Sequence, residues 1–221
     1  MLFDSEVWSI IFTGIWESIY MVVASSLIAY LIGIPLGILL VVLERGGLVA
    51  YPKVQFVLGS VVNIIRSVPF LILIVIVTPI TRGITGTSLG YKAMVVPLAI
   101  SAAPYVGRVV ESSLREVTHG VIEAAKAMGA SNWQIIWKVI LPEAKPSLLV
   151  GAALSVTTIL SYSAIAGIIG AGGLGANAIN YGYYRNDKVM LWLNVIFIVL
   201  LFQILQEIFM KLSKKVDKRM V

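Results

Sequence analysis

The sequence contains no cysteine and a single histidine. Disulfides, thiolate metal sites and histidine-rich metal sites are thereby excluded. Charge is scarce too: 13% of the 221 residues are Asp, Glu, Lys or Arg, against about 25% in soluble domains. No Gly-Lys dipeptide occurs. A phosphate-binding loop of the G-x-x-x-x-G-K-[ST] type is therefore missing, and the chain is not expected to hydrolyse ATP. The apolar runs hold no histidine and no paired carboxylates, only Glu17 and Arg66 as intramembrane charges. An intramembrane enzyme would need a buried nucleophile–base or acid pair. The acidic start, MLFDSEVW, lacks the basic region of a cleaved signal peptide.

What is present is apolar. Hydrophobic residues make up 59% of the chain, and mean hydropathy is +0.95. A soluble fold of this size has no way to hide so much apolar surface, so lipid is the solvent that fits. A span needs about 17–25 apolar residues to cross the hydrocarbon. Five such runs are expected, at about 19–43, 56–80, 89–107, 147–169 and 189–209. The predicted fold class is all-α, a polytopic protein with one membrane domain over residues 1–221. The uncharged stretch from Pro146 to Tyr184 is too long for one helix, and Gly170–Gly175 breaks it. A short re-entrant or interfacial segment is expected after the fourth span. In the first span, Gly33 and Gly37 form a small-xxx-small pair suited to close helix approach.

The net charge of +6 reads as membrane topology rather than nucleic-acid binding. One set of loops carries 12 Lys and Arg residues and the other carries 4. The positive-inside rule then places the C-terminus in the cytoplasm and the N-terminus outside. The remaining basic residue, Arg66, lies inside a span, away from its ends. A charge there costs about 2.5–3.5 kcal/mol on insertion scales, so Arg66 either lines a pathway or snorkels to an interface. Asn63 and Ser67 lie one turn away on the same face. Tyr162, Ser163 and Ile165 are further pathway or gate candidates, in a span rich in Ser, Thr, Ala and Gly; tight helix packing explains that composition equally.

The longest basic loop, 118–142, is organised. Glu123, Ala124, Ala125 and Met128 fall in a run of good helix formers, and Gly129 suits a left-handed stop. Ser131 and Gln134 have the spacing of a capping box. A second helix should follow and end near Pro142. Trp133, Ile136, Trp137 and Ile140 are spaced for one face. Periodicity leaves open whether the pair lies on the membrane surface or serves as a rigid contact unit.

Glu123-Ala-Ala-x-x-x-Gly129 followed by Leu141-Pro142 resembles the EAA loop of ABC importer permeases, with Val139 in place of the family's Ile. Residues 10 to 210 also resemble the methionine-importer permease family. The matching pieces are Gly14-Ile-Trp-Glu17, Arg66-Ser-Val-Pro-Phe70, Ala102-Ala-Pro104, Tyr162-Ser-Ala164, Gly170–Gly175 and Tyr181-Gly182-Tyr183. This resemblance implies a type I ABC importer permease fold with a core at about 13–208. It implies a coupling helix whose ATPase contacts are Glu123, Ala124, Ala125, Met128, Gly129, Ala130, Ser131, Trp133, Leu141 and Pro142. The implied partners are two ATPase subunits, an external solute-binding protein or lipoprotein, a second copy of the chain and membrane lipids. Nucleic acid is not expected, and neither is a cofactor. The implied function is uptake of L- and D-methionine across the cytoplasmic membrane of a bacterium. The rivals are a permease for another amino acid or glycine betaine, an intramembrane enzyme, or a non-transporting scaffold. Gly170–Gly175 also spells G-x-G-x-x-G, but an uncharged span precedes it and Asp187 lies only 12 residues beyond. A dinucleotide fold requires a preceding strand and an acid about 20 residues on. The run is instead expected to be a flexible backbone segment at the outer mouth of the pathway.

Overall fold

The computed structural model describes residues 5–217. Helices account for nearly all of it, and no strand occurs among the described residues. The helices are α1 (Ser5–Val42), α2 (Pro52–Ser67), α3 (Phe70–Thr85), α4 (Tyr91–Arg115), α5 (His119–Ala127), α6 (Asn132–Ile135), α7 (Leu141–Ala166), α8 (Gly173–Asn177) and α9 (Lys188–Val216). By length and composition, α1, α4, the run Asn132–Ile169 and α9 are each able to cross a membrane, and α2 with α3 supplies a fifth crossing if the bent pair is one span.

That bent pair departs from the expected continuous helix over 56–80. Helix stops at Ser67 and resumes at Phe70, and the chain bends by 107° at this break. Pro69 has no N–H to donate and pushes Val68 out of the helical region. Pro69 itself is extended, with φ −56° and ψ 134°, and its carbonyl accepts from Ile72 and Leu73 N–H. Pro142, in contrast, does not end the helix it was expected to end. Residues Ile136–Ile140 form a π turn in which Leu141 N–H donates to Ile136 O, and α7 continues through the proline. The widened turn relieves the backbone just where a proline would disrupt it.

Contacts divide the chain into two compact units. The first comprises Met1–Ala29, Val68–Ala102 and Val156–Gln206; the second comprises Tyr30–Ser67, Ala103–Ser155 and Glu207–Val221. The first unit has a core of Met21, Phe70, Ile74, Met94, Leu98, Ala166 and Ala171. Phe70 stacks on Tyr162 with ring centroids 4.6 Å apart. In the second unit α1 and α4 pack by close approach of small residues. A Cβ on Gly33 would stand 2.6 Å from Val106, and one on Gly37 would stand 2.7 Å from the Gly107 carbonyl. The Gly33/Gly37 stripe thus serves the helix contact its spacing suggests.

Candidate functional site

The 118–142 loop folds by local rules. Helix α5 ends as Met128 N–H donates to Ala124 O at 3.1 Å and Gly129 N–H to Lys126 O at 2.9 Å. Gly129 has φ +78°, the left-handed conformation that reverses the chain at little cost only for glycine. Ala130 N–H then reaches back to Ala125 O at 3.1 Å. Helix α6 starts with a reciprocal cap: Gln134 N–H donates to Ser131 Oγ at 3.3 Å, and Ser131 N–H donates to Gln134 Oε1 at 2.9 Å. The result is a preformed pair of short helices with a fixed bend.

Three buried side chains anchor this unit from within: Ala125, Ile135 and Ile140. Asn132 Nδ2 adds a hydrogen bond to Leu48 O at 3.4 Å. Outward, the bend presents Met128 at 81% exposure and Trp133 at 68%. Trp137 packs beside Trp133 at 5.3 Å between ring centroids. The stripe is therefore not the one expected, because Ile140 turns inward while both tryptophans face out. Glu123, Ala124, Gly129, Ser131 and Pro142 are exposed, Ala130 and Leu141 half-buried, and Ala125 faces inward as an anchor. Glu123 pairs locally with His119 at 3.6 Å. Exposed Met128 and Trp133 thus make an apolar knob on the bend.

The six pathway candidates do not form one cluster in either unit. Asn63, Arg66 and Ser67 end α2 in the second unit, just before the Val68-Pro69 break. The Arg66 guanidinium sits 5.8 Å from the Tyr105 ring centroid. The Ser67 hydroxyl donates to Asn63 O at 2.8 Å. Tyr162, Ser163 and Ile165 lie in the first unit. Tyr162 and Ile165 pack on its core, and the buried Ser163 hydroxyl donates to Leu160 O at 2.8 Å. Ser163 is thus satisfied within its own helix.

Two polar constellations emerge only in three dimensions. In the second unit Glu111, nearly buried, accepts from Arg108 Nη1 at 2.7 Å and from Arg115 Nη2 at 2.8 Å. Arg115 also meets Glu44 at 2.7 Å, and Arg108 Nη2 donates to Gly59 O and Asn63 Oδ1, both at 2.9 Å. Helices α2 and α4 and the turn after α1 are tied together this way. The spacing Arg-x-x-Glu-x-x-x-Arg on one helix face was the available signal.

In the first unit the Glu17 carboxylate accepts from Gly173 N–H at 2.6 Å, and Ser18 Oγ accepts from Leu174 N–H at 3.0 Å. Asn177 Nδ2 donates to Ile10 O at 3.0 Å. The Gly170–Gly175 segment, expected to be flexible, is pinned to α1. An amide keeps one acceptor oxygen, whereas alanine leaves the Gly173 N–H unpaired. Glu17→Gln is therefore expected to be mild, and Glu17→Ala to cost about 1–3 kcal/mol, read as a lowered denaturation midpoint in detergent. Equal midpoints for the two variants would refute the pinning role.

Residues 33–218 match the family model described as binding-protein-dependent transport system inner membrane component. The probable D-methionine transport system permease protein MetI of Vibrio cholerae is 44% identical over 210 residues, which is 95% of this chain and 93% of the relative. The D-methionine transport system permease protein MetI of Escherichia coli is 45% identical over 154 residues, covering 70% of this chain and 71% of the relative. Among solved structures, an inward-facing form of the MetNI methionine ABC transporter contains a chain 38% identical, with TM-score 0.95, covering 97% of this chain and all of that one (100%).

Proposed function

Because the chain belongs to the family of binding-protein-dependent transport system inner membrane components, we propose that it is the permease subunit of an ATP-driven importer for methionine. The observation that carries this reading is its likeness, at TM-score 0.95 over 97% of the chain, to a subunit of a methionine ABC transporter. The 44% identity to a D-methionine permease over nearly the whole length points the same way. With no phosphate-binding loop of its own, the chain draws its energy from a separate ATPase, two copies of which serve a permease dimer. A solute-binding protein delivers methionine from outside. The orientation places α5 and α6 in the cytoplasm with the C-terminus and leaves the N-terminus outside, in line with the 12-to-4 distribution of basic residues.

In this reading the knob formed by Met128, Gly129 and Trp133 seats in the ATPase. ATP binding shifts the permease between inward-open and outward-open populations only because the two states hold the nucleotide with different affinity. A short helix fixed at both ends passes a rigid-body movement into α7, with which it is continuous through the π turn. Ala125 acts from beneath by holding the knob in place. Arg66, Asn63 and Ser67 are assigned to the pathway at the α2 break. In the first unit, Tyr162, Ser163 and Ile165 are assigned a pathway or gate role.

Gly129→Asp tests the coupling assignment. A Cβ at Gly129 would meet nothing within 4 Å, so the chain itself has room for the side chain. The internal cost is limited to backbone strain of about 1–2 kcal/mol. The charge, however, would be buried unpaired against the partner. Membrane insertion is expected to persist while co-purification of the ATPase is lost. Normal co-purification would overturn the assignment. Uptake of labelled L-methionine into cells, challenged by D-methionine, other amino acids and glycine betaine, tests the substrate.

A further inference from the structure

The turn between α1 and α2 carries a basic pocket that the transport cycle described above does not use. The turn is ordered by its own backbone: Gly47 N–H donates to Glu44 O, Val49 N–H to Val42 O and Tyr51 N–H to Leu43 O, all at 3.0 Å. Beside it lies an open pocket of about 750 Å³ lined by Glu44, Arg45, Pro52, Lys53, Gln55, Phe56 and Val57. Glu44 is engaged by Arg115 at 2.7 Å. Arg45 and Lys53 join no ion pair among the described residues. The pocket is therefore net positive. The first turn of α2 opens beside it, adding the positive end of a helix dipole. Arg45 also borders a second cavity, of about 250 Å³, whose lining includes His119 and Lys126.

The rim continues into apolar surface. Phe56 is 72% exposed, and Val54, Val57 and Val61 are exposed with it along α2. Tyr51, also exposed, is the amphipathic residue type that settles at a membrane interface. A free phosphate would use the charges and ignore the apolar rim. A phospholipid uses both, since its headgroup phosphate meets Arg45 and Lys53 while its acyl chains lie along Phe56 and Val57. Basic pockets at the ends of membrane helices are a recognised way to hold anionic headgroups. We propose that the pocket between α1 and α2 binds an anionic phospholipid of the inner leaflet through Arg45 and Lys53. The inner-leaflet part rests on the orientation proposed above; the choice of an anionic lipid does not.

The test uses the purified full chain in mild detergent with equimolar phosphatidylglycerol and phosphatidylcholine, read by native mass spectrometry. Preferential retention of phosphatidylglycerol is expected, falling about fivefold for Arg45→Gln or Lys53→Gln alone and about thirtyfold for the double variant. Arg45→Lys with Lys53→Arg should keep the preference, which separates charge from folding. Phe56→Gln should weaken lipid retention. Undiminished preference in the double glutamine variant would overturn the site. So would displacement of the lipid by millimolar inorganic phosphate together with indifference to Phe56→Gln, because the pocket would then be a phosphate site. In this cysteine-free chain, Ala50→Cys reports the leaflet separately: labelling from outside would overturn the inner-face placement while leaving the headgroup preference intact.

Discussion

Replacing Glu111 with alanine is expected to lower the stability of the second unit by about 3–5 kcal/mol, the usual consequence of removing one partner from a buried ion pair. The Glu111 side chain is 6% exposed and answers two guanidinium groups, at 2.7 Å and 2.8 Å. Without it Arg108 stays trapped. Its Nη2 would still bond Gly59 O and Asn63 Oδ1, but its Nε is buried with no partner even now. Arg115 is different, because its side chain is 49% exposed and can turn to water. Arg115→Ala is accordingly expected to cost about 1 kcal/mol or less. The double change Arg108→Met with Glu111→Met removes charge and countercharge together. It should recover much of the loss, since an apolar pair of similar volume commonly matches a buried ion pair. Denaturation midpoints of the purified chain in detergent give the ranking. A Glu111→Ala effect no larger than that of Arg115→Ala would show that the network contributes only at its surface.

The features legible in the sequence are those that local chemistry decides. Gly129 and the Ser131–Gln134 box determine their own backbone within a few residues, and the bend between α5 and α6 follows from them. Helical spans follow from apolar length, because a lipid solvent leaves the backbone few alternatives. The break at Val68-Pro69 is also written in the chain, but a hydropathy window averages over a proline that removes a donor and constrains its neighbour. The tryptophan face misleads for a related reason. Spacing by 3.6 residues groups Ile136 and Ile140 with Trp133 and Trp137. The π turn over Ile136–Ile140 adds a residue and rotates the helix beyond it by about 100°. Ile140, at the end of that turn, therefore lies inside, while Ile135 precedes the turn and faces inward on ordinary helical spacing. Glu17 is visible as a charge in an apolar run, yet its partners lie 156 residues away along the chain. Only the fold brings them together, and the same holds for Arg108 and the carbonyl of Gly59.

Gly175→Ala is expected to be the most damaging single-methyl change in the first unit. Several glycines here face side chains that can rotate away, but Gly175 does not. A Cβ there would stand 2.5 Å from Ala164 Cα and 2.7 Å from its carbonyl carbon, overlapping the carbonyl oxygen as well. Gly167 faces the same contact from the other side, where a Cβ would overlap Ala176 N and stand 2.8 Å from Gly175 C. Backbone meets backbone at this point, so no rotamer change relieves the clash, and the two segments must move apart. Overpacking in a core costs about 1–3 kcal/mol when side chains can adjust, and more is expected where they cannot. Opening the contact would also pull α8 from its caps, because Gly173 and Leu174 N–H are held by Glu17 and Ser18 at 2.6 Å and 3.0 Å. Gly175→Ala and Glu17→Ala should therefore be less than additive, as each releases the same helix. Gly83→Ala supplies the control, since nothing lies within 4 Å of a Cβ there and a glycine in the last turn of α3 gains helix propensity on that change. If Gly175→Ala left the denaturation midpoint where Gly83→Ala leaves it, the close contact between the end of α7 and α8 would have no share in holding this segment.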